Sequence, residues 1–120
     1  MMPISEVSRS LHRGLEQHDM ASLLDVYDDS AELTIIDKNH TPSRPQVLSG
    51  RDALERHFQD LLSRPTSHHI GDEVMSDNHY AYTESCEYPD GSKVFTSVMA
   101  TLKDGKIVKE VDVTSWDENP

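Results

Sequence analysis

The second half of the chain reads as four consecutive β-strands joined by short turns, and this run constrains the fold more than any other feature. The predicted strands cover residues 67–75, 80–88, 94–102 and 107–116. Pro89-Asp90-Gly91-Ser92 is a strong hairpin signal, because aspartate and glycine adopt the backbone angles that tight turns need. Strands joined by turns this short pair with their neighbours as an antiparallel meander.

The first half of the chain predicts helices and one further strand. Apolar residues at helical spacing indicate an amphipathic helix over residues 4–17. Asp19 is a suitable N-cap for a second, short helix, and Tyr27 lies on the apolar face of that helix. Residues 31–37 predict a strand, and residues 38–48 predict a loop because they contain two prolines.

A third helix follows this loop. Ser49 and Asp52 resemble a capping box at its start, and Arg64-Pro65 marks its end. The predicted order is therefore ααβαββββ, and helices that precede an antiparallel sheet are typical of the α+β class. The chain, residues 1–120, is predicted to form a single domain with a frayed tail at residues 117–120.

Composition excludes several classes of partner. The formal net charge of −11 argues against nucleic acid and anionic membranes, whose phosphates favour basic surfaces. Cys86 is the single cysteine, so the chain can form no internal disulfide, as expected in a reducing compartment. The sequence shows no signal peptide and no apolar stretch of membrane-spanning length, so we expect a cytoplasmic protein.

An acidic residue interrupts one predicted strand where a core face is expected. Alternation along residues 80–88 places Glu84 on the same face as Tyr80, Tyr82, Cys86 and Tyr88. Burial of a carboxylate is costly unless it is paired, hydrogen-bonded or protonated. Glu84 is therefore either satisfied by a partner, exposed at a rim, or positioned for chemistry.

Five short segments occur in a characteristic order along the chain. They are Leu15-Glu16-Gln17-His18-Asp19, Tyr27-Asp28-Asp29-Ser30-Ala31, Leu48-Ser49-Gly50-Arg51-Asp52-Ala53-Leu54, Tyr88-Pro89-Asp90-Gly91 and Asp104-Gly105-Lys106-Ile107-Val108. Together with the order of elements, they resemble the SnoaL-like branch of the nuclear transport factor 2-like superfamily over nearly the whole chain. The resemblance implies a cone-shaped fold, often a homodimer, in which a curved, mostly antiparallel sheet wraps around the N-terminal helices and leaves a hydrophobic pocket.

The resemblance implies a range of activities rather than one. Members catalyse steroid isomerisation, polyketide ring closure, dehydration or epoxide hydrolysis, and many only bind ligands or proteins. Where ketosteroid isomerases carry a tyrosine, a general-base aspartate and a protonated aspartate, this chain carries Leu11, Ile35 and Val98 or Met99. Isomerisation of steroids by that set of residues is therefore not expected.

Glu110 and Asp112 form a second group of acids, on the last predicted strand. They are two residues apart, so they share a face at a spacing of roughly 6.5–7 Å. By the resemblance, this face lines the pocket together with Val108, Thr114 and Trp116. The opposite face, with Ile107, Val111 and Val113, is more apolar. The acids therefore either line the pocket, with the apolar face forming a dimer interface, or face solvent.

Histidines and tyrosines complete the candidate site. His68 and His69 are adjacent, so on a strand they point to opposite faces and cannot bind one metal together. Thr66-Ser67-His68-His69-Ile70-Gly71 resembles the histidine motif of scytalone dehydratase, which favours His68 as the residue in the pocket. No pair of histidines has metal-binding spacing, so we predict a site with no metal and no cofactor. Cys86 lacks an adjacent basic residue that would lower the pKa of its thiol, so a nucleophilic role is not expected.

Two hypotheses follow from these residues. In the first, the chain is an acid–base enzyme (an isomerase, cyclase, dehydratase or hydrolase) that acts on a small hydrophobic molecule without a cofactor. Asp112 and Glu84 would be acid and base, and His68 would be a proton relay. The pocket would be lined by Tyr82, Glu110, Trp116 and Asp37, the last being either a base or a turn cap. In the second, the domain is a non-catalytic ligand-binding or dimeric assembly module.

Overall fold

Within residues 3–118, six strands form one curved, mixed sheet that does not close into a barrel, and three helices accompany it. The computed structural model describes residues 3–118. Its elements are α1 (Ile4–Glu16), α2 (Met20–Asp25), β1 (Tyr27–Ile36), β2 (Gln46–Ser49), α3 (Arg51–Ser63), β3 (Ser67–Met75), β4 (His79–Glu87), β5 (Lys93–Lys103) and β6 (Lys106–Trp116). The strand order is β2-β1-β6-β5-β4-β3, in which β1 and β6 are parallel and all other neighbours antiparallel. The predicted α+β class and the meander are both confirmed.

The two N-terminal helices pack closely against each other. The buried face of α1 contains Val7, Ser10, Leu11, Gly14 and Leu15. Gly14 permits the contact, because a Cβ atom there would lie 2.6 Å from Cβ of Leu23 in α2. α2 begins after Asp19, whose side chain accepts a hydrogen bond from the backbone N–H of Ser22, as predicted for an N-cap. None of the helices in residues 3–118 has the length and apolar character needed to span a bilayer.

Three local predictions in the first half are wrong. Tyr27 does not lie on α2 but begins β1, where it pairs with Ile107 of β6. A short strand, β2, occupies the end of the predicted loop and pairs with β1. Ser49 ends β2 and does not cap α3. Gly50 takes the N-cap position because the chain turns there with φ of 86°, and its N–H donates to Ala31.

The core lies between the sheet and the helices. Alternation in β4 is as predicted, since Tyr80, Tyr82, Glu84 and Cys86 are all buried. In β6 the simple alternation fails, because a bulge interrupts the pairing of β5 with β6 between Thr101 and Leu102. Ile107 is therefore fully buried and does not share the outer face with Val113, which is 50% exposed.

The chain beyond β6 is anchored at its first residue. The backbone N–H of Asp117 donates to the carbonyl of Lys93, and the Asp117 carboxylate accepts from the N–H of Lys93 at 2.9 Å. The predicted fraying therefore does not begin at Asp117. Asn119 and Pro120, which belong to the same predicted tail, lie outside the described residues.

Candidate active site

A cavity of about 680 Å³ lies between the helices and the sheet. This volume is in the range of small-molecule binding sites. All seven site residues predicted from the sequence line it, namely Asp37, His68, Tyr82, Glu84, Glu110, Asp112 and Trp116. Tyr27 lines it as well. Tyr80 is not among the lining residues, and its hydroxyl donates to Glu73 at 2.8 Å.

The strand register arranges the lining residues in rows across the sheet. In one row Tyr82 of β4 lies opposite Val98 of β5, which lies opposite Asp112 of β6. In the next row Glu84 lies opposite Thr96 and then Thr114, whose hydroxyl oxygen is 3.0 Å from that of Thr96. Glu84 and Asp112 therefore occupy different rows and have different immediate neighbours.

Glu110 is the most deeply buried of the three acids. Its carboxylate accepts a hydrogen bond of 2.6 Å from the hydroxyl of Tyr27, and the side chain is almost fully buried. Burial raises the pKa of Glu110, the hydrogen bonds from Asp112 and Tyr27 oppose this rise, and the charge of Glu84 adds to it. Because burial dominates, Glu110 holds a proton at higher pH than an ordinary glutamate does.

Asp112 is adjacent to Glu110 on the cavity wall. Burial raises the pKa of Asp112 well above its usual range, and the nearby charge of Glu110 and a hydrogen bond with Glu110 raise it further. Its Oδ1 atom is buried and has no hydrogen-bond partner among residues 3–118. Two carboxyl groups this close cannot both ionise easily, so the pair loses its second proton only at a pH above the ordinary range for carboxyl groups.

Tyr82 lies between the two groups of acids. Burial raises the pKa of its hydroxyl well above the usual value, and the charges of Glu110, Asp112 and Glu84 raise it further. The phenol therefore remains protonated and provides a hydrogen-bond donor on the cavity wall.

Glu84 belongs to a separate cluster with His68 and Cys86. Nδ1 of His68 lies 2.8 Å from Oε1 of Glu84 and 3.2 Å from Sγ of Cys86, and Sγ lies 3.1 Å from the same Oε1. The paired strands create this cluster, because His68 of β3 lies directly opposite Cys86 of β4. Burial and the charge of Glu84 raise the pKa of the Cys86 thiol, so it is not an activated nucleophile.

The sequence alone missed the Cys86 contact and placed no partner beside His68. His68 is buried while His69 is exposed, as predicted for adjacent residues on a strand. On its other side, the ring of His68 packs edge-on against the ring of His18, with the ring centroids 5.2 Å apart. Nε2 of His68 is buried without a hydrogen-bond partner in the described part of the chain.

Asp37 and Trp116 line the cavity where β1 and β6 end. The Asp37 carboxylate accepts hydrogen bonds from the backbone N–H groups of Asn39 and His40, at 2.9 and 2.8 Å. It also lies 2.9 Å from the ring of His40. These contacts agree with the turn-cap alternative for Asp37 rather than with a free base.

Among the exposed charged residues that line the cavity, acids slightly outnumber bases. They are Asp60, Asp90 and Asp117, against Arg64 and Lys93. With Glu84 and the Glu110–Asp112 pair inside, the negative potential disfavours anionic ligands. The cavity is therefore suited to a neutral or cationic molecule.

Comparison with known families agrees with this architecture. A family model described as a SnoaL-like domain matches residues 7–110. The chain belongs to the SnoaL-like family. The match spans both N-terminal helices and extends into β6 as far as Glu110, so the resemblance noted in the sequence is confirmed. No curated protein matches the chain.

Solved structures share the SnoaL-like fold at low sequence identity. A nuclear transport factor 2-like protein of unknown function from Mesorhizobium loti has a TM-score of 0.77 at 18% identity, covering 92% of this chain and 89% of that one. A protein from Kribbella flavida named as a ketosteroid isomerase has a TM-score of 0.77 at 12% identity, covering 98% and 83%. A nuclear transport factor 2-like protein of unknown function from Burkholderia xenovorans has a TM-score of 0.74 at 18% identity, covering 100% and 91%. At these identities the likeness establishes the fold.

Proposed function

We propose that this SnoaL-like protein is an acid–base enzyme that moves a proton between two positions of a small, neutral and largely apolar molecule. The observation that carries the proposal is the Glu110–Asp112 pair, two adjacent carboxyl groups on the cavity wall whose pKa values are both raised. A general base is most effective when its pKa is close to the working pH. Such a pair is therefore suited to proton transfer near neutrality, and this transfer requires no cofactor.

Asp112 is the member of the pair that we expect to meet the substrate. Its Oδ1 atom has no partner among the described residues, whereas Glu110 is held from behind by Tyr27. In the proposed reaction, Asp112 accepts a proton from a carbon next to a carbonyl group, and the proton already shared by the pair moves onto Glu110. The same pair then returns one proton to another atom of the substrate, which completes an isomerisation.

The register of the sheet supports this assignment. Asp112 lies directly opposite Ile35 on one side and Val98 on the other. By resemblance, the acids of ketosteroid isomerases fall near Ile35 on β1 and near Val98 or Met99 on β5, and Asp112 places a carboxyl group on the strand between them. The likeness to the Kribbella flavida protein, named as a ketosteroid isomerase, favours isomerisation over the other reactions of the family.

Glu84 and Tyr82 have supporting roles in this proposal. Tyr82 donates a hydrogen bond to the substrate carbonyl, which stabilises the negative charge that develops on its oxygen. Glu84, beside His68, is a further acid on the cavity wall, in the row of the sheet next to that of Asp112. It would accept or supply the proton when the substrate places its second reacting atom on that side.

Hydrogen–deuterium exchange at a substrate carbon tests the proposal. A β,γ-unsaturated cyclic ketone is incubated with the protein in D₂O, and proton NMR follows both exchange next to the carbonyl and migration of the double bond. We expect catalysis by the wild-type protein and a decrease of about 100-fold or more in Asp112→Asn, the typical contribution of a general acid–base group.

Asp60→Asn is the matched control for this experiment. Asp60 is an exposed acid that also lines the cavity and pairs with Arg64 at 2.6 Å. Its substitution removes one negative charge without altering the Glu110–Asp112 pair, so the exchange rate should be nearly unchanged. Equal rates for wild type and Asp112→Asn, or no catalysis with any ketone of a size-graded panel, would count against the proposal.

A second candidate function, assembly as a homodimer, is favoured by the outer face of the sheet. Phe95 and Met99 of β5 and Val113 of β6 are each half exposed there. The register places them side by side, since Ser97 between Phe95 and Met99 lies opposite Val113. We propose that this apolar face pairs with the same face of a second copy, as in other dimers of this fold.

Light scattering after size exclusion tests the dimer. Phe95→Glu with Met99→Lys should convert a dimer of the wild-type chain into a monomer. Gln59→Lys, a single change at an exposed position of α3 on the helix side of the sheet, serves as a control for added charge. A wild-type chain that remains monomeric at high concentration would contradict the dimer while leaving the acid–base proposal intact.

A further inference from the structure

We propose that His68, Glu84 and Cys86 form a binding site for one divalent transition-metal ion, best suited to Zn²⁺, with an open coordination position facing the cavity. The three side chains offer one nitrogen, one oxygen and one sulfur donor within 4.8 Å of one another, and all three residues are buried. The proposal does not involve the Glu110–Asp112 pair and departs from the metal-free site expected from the sequence. A bound ion would occupy Glu84 and leave proton transfer to that pair alone.

The spacing of the three donor atoms suits a metal. The nitrogen, oxygen and sulfur atoms form a triangle with edges of 2.8, 3.1 and 3.2 Å. In a tetrahedral zinc site such donors are about 3.4–3.6 Å apart, as follows from bond lengths of about 2.0–2.3 Å. Each edge therefore needs to open by about half an ångström, which side-chain rotation alone can provide.

Hydrogen bonds among the three side chains account for only part of these close contacts. With Nδ1 of His68 protonated, both its N–H and the S–H of Cys86 point towards Oε1 of Glu84. No hydrogen atom then lies between Nδ1 and Sγ, which are 3.2 Å apart, unless the N–H of His68 is shared between Oε1 of Glu84 and Sγ of Cys86. A metal ion at the centre of the triangle satisfies all three donor atoms at once.

The backbone holds the three donors in place. His68 and Cys86 lie directly opposite each other on paired strands, and Glu84 follows two residues before Cys86 on the same face. Each donor therefore comes from a β-strand rather than from a loop, which favours a preorganised site. Such a site loses less conformational entropy on binding than one formed by mobile side chains.

The donor set indicates which ion would bind and in what way. One thiolate, one imidazole and one carboxylate are borderline ligands that suit Zn²⁺ better than Mg²⁺ or Ca²⁺. Three protein ligands with a fourth position open are typical of catalytic rather than structural zinc sites. Because all three residues line the cavity, that fourth position faces the space where a small molecule would bind.

Cobalt substitution provides a specific readout of this site. Co²⁺ alone is titrated into the wild-type protein, and the thiolate-to-cobalt charge-transfer band in the near ultraviolet is recorded. Because Cys86 is the only cysteine in the chain, that band can come from no other residue. We expect the band to saturate at one ion per chain and to disappear when Zn²⁺ is added in competition.

Substitutions test the ligand set. Cys86→Ser should abolish the band and weaken Zn²⁺ binding by more than about 100-fold, beyond the roughly 10–100-fold cost of changing a residue that only hydrogen-bonds to a metal ligand. His69→Gln is the matched control, because His69 is exposed on the opposite face of the same strand. It should retain the band and the stoichiometry.

The wild-type titration alone can overturn the proposal, without dependence on the folding of any variant. Absence of the band at saturating Co²⁺, or a band that saturates at half an ion per chain, would exclude a site formed within one chain. Zn²⁺ binding of unchanged affinity in a folded Cys86→Ser variant would assign the ion to other residues. Loss of exchange activity in Asp112→Asn with an intact cobalt band would separate this site from the acid–base pair.

Discussion

The hydrogen bond between Tyr27 and Glu110 joins the first and last strands, and its removal gives a prediction of defined size. Both side chains are buried, and the distance of 2.6 Å is that of a charge-assisted hydrogen bond. Tyr27→Phe removes the hydroxyl but keeps the ring, which packs against Phe58 with the ring centroids 5.3 Å apart. The substitution should therefore reduce the free energy of unfolding by about 1.5–3 kcal/mol, the range for hydrogen bonds to charged groups.

The loss should depend on pH in a defined direction. The hydrogen bond from Tyr27 favours the ionised form of Glu110 and so lowers its pKa, against the larger effect of burial. Without that bond the pKa of Glu110 rises further, and the folded protein becomes less stable as pH rises through it. The difference between wild type and Tyr27→Phe should therefore be larger above the pKa of Glu110 than below it.

Urea unfolding followed by circular dichroism, on both sides of this pKa, measures the effect. Tyr88→Phe is the control, because the Tyr88 hydroxyl contacts only the exposed Arg64 at 3.3 Å among the side chains described. Its effect should stay within about 0.5 kcal/mol. A loss for Tyr27→Phe below about 0.5 kcal/mol, or one independent of pH, would refute the account of Glu110 as a buried acid held by Tyr27.

Two further predictions concern α1. The ring of His12 bridges Glu16 and Glu73 at 2.8 and 2.6 Å, and these bonds raise the pKa of His12 against the opposing effect of burial. The pKa values of both glutamates are lowered despite burial, that of Glu16 by the backbone N–H of Ile70 and by His12, and that of Glu73 by the hydroxyl of Ser8 and by His12. The stabilisation from His12 is lost as pH rises through its raised pKa, and the stabilisation from the two glutamates is lost as pH falls through their lowered pKa values. The melting temperature should therefore peak between these pKa values. His12→Gln should reduce the fall in melting temperature on the alkaline side of the peak. Gly14→Ala should lower the free energy of unfolding by roughly 1–3 kcal/mol in urea, although alanine has a higher helix propensity than glycine. The reason is that the new methyl group would lie 2.8 Å from the backbone of Leu23. An unchanged free energy of unfolding would contradict this packing.

The sequence predicts those parts of the fold that depend on local signals. The meander follows from alternation and from turns such as Asp104-Gly105, where both residues adopt positive φ as a tight hairpin requires. Asp19 caps α2 because a capping bond spans only three residues. These features are readable because each depends on neighbours a few positions away in the chain.

The errors occur where distant pairing overrides local pattern. Tyr27 fits the apolar face of a helix, but pairing with Ile107, eighty residues away, draws it into β1. Ile107 itself moves to the inner face because a bulge shifts the register of β6. Gln46–Ser49 has only four residues and follows two prolines, so its pairing with β1 leaves little trace in the sequence.

In the candidate site too, local signals are readable from the sequence and contacts between distant strands are not. Alternation is enough to place Glu84 and Tyr82 on the inner face, and both line the cavity. The partners of these residues depend on register between strands. The contact between His68 and Cys86 requires a pairing that another bulge, between Ile70 and Glu73, helps to set. No signal within either strand specifies this pairing, so nothing in the sequence links the two residues.

The central claim is that Glu110 and Asp112 share a proton near neutral pH, and carbon-13 NMR titration of their carboxyl groups tests it most directly. We predict that at least one of the two titrates well above the ordinary values of about 3.9 for aspartate and 4.3 for glutamate. We also predict that the pKa of Asp112 falls in Glu110→Gln, because the neighbouring negative charge that raises it is removed. If both groups titrate at ordinary values in the folded wild-type protein, the acid–base account is contradicted.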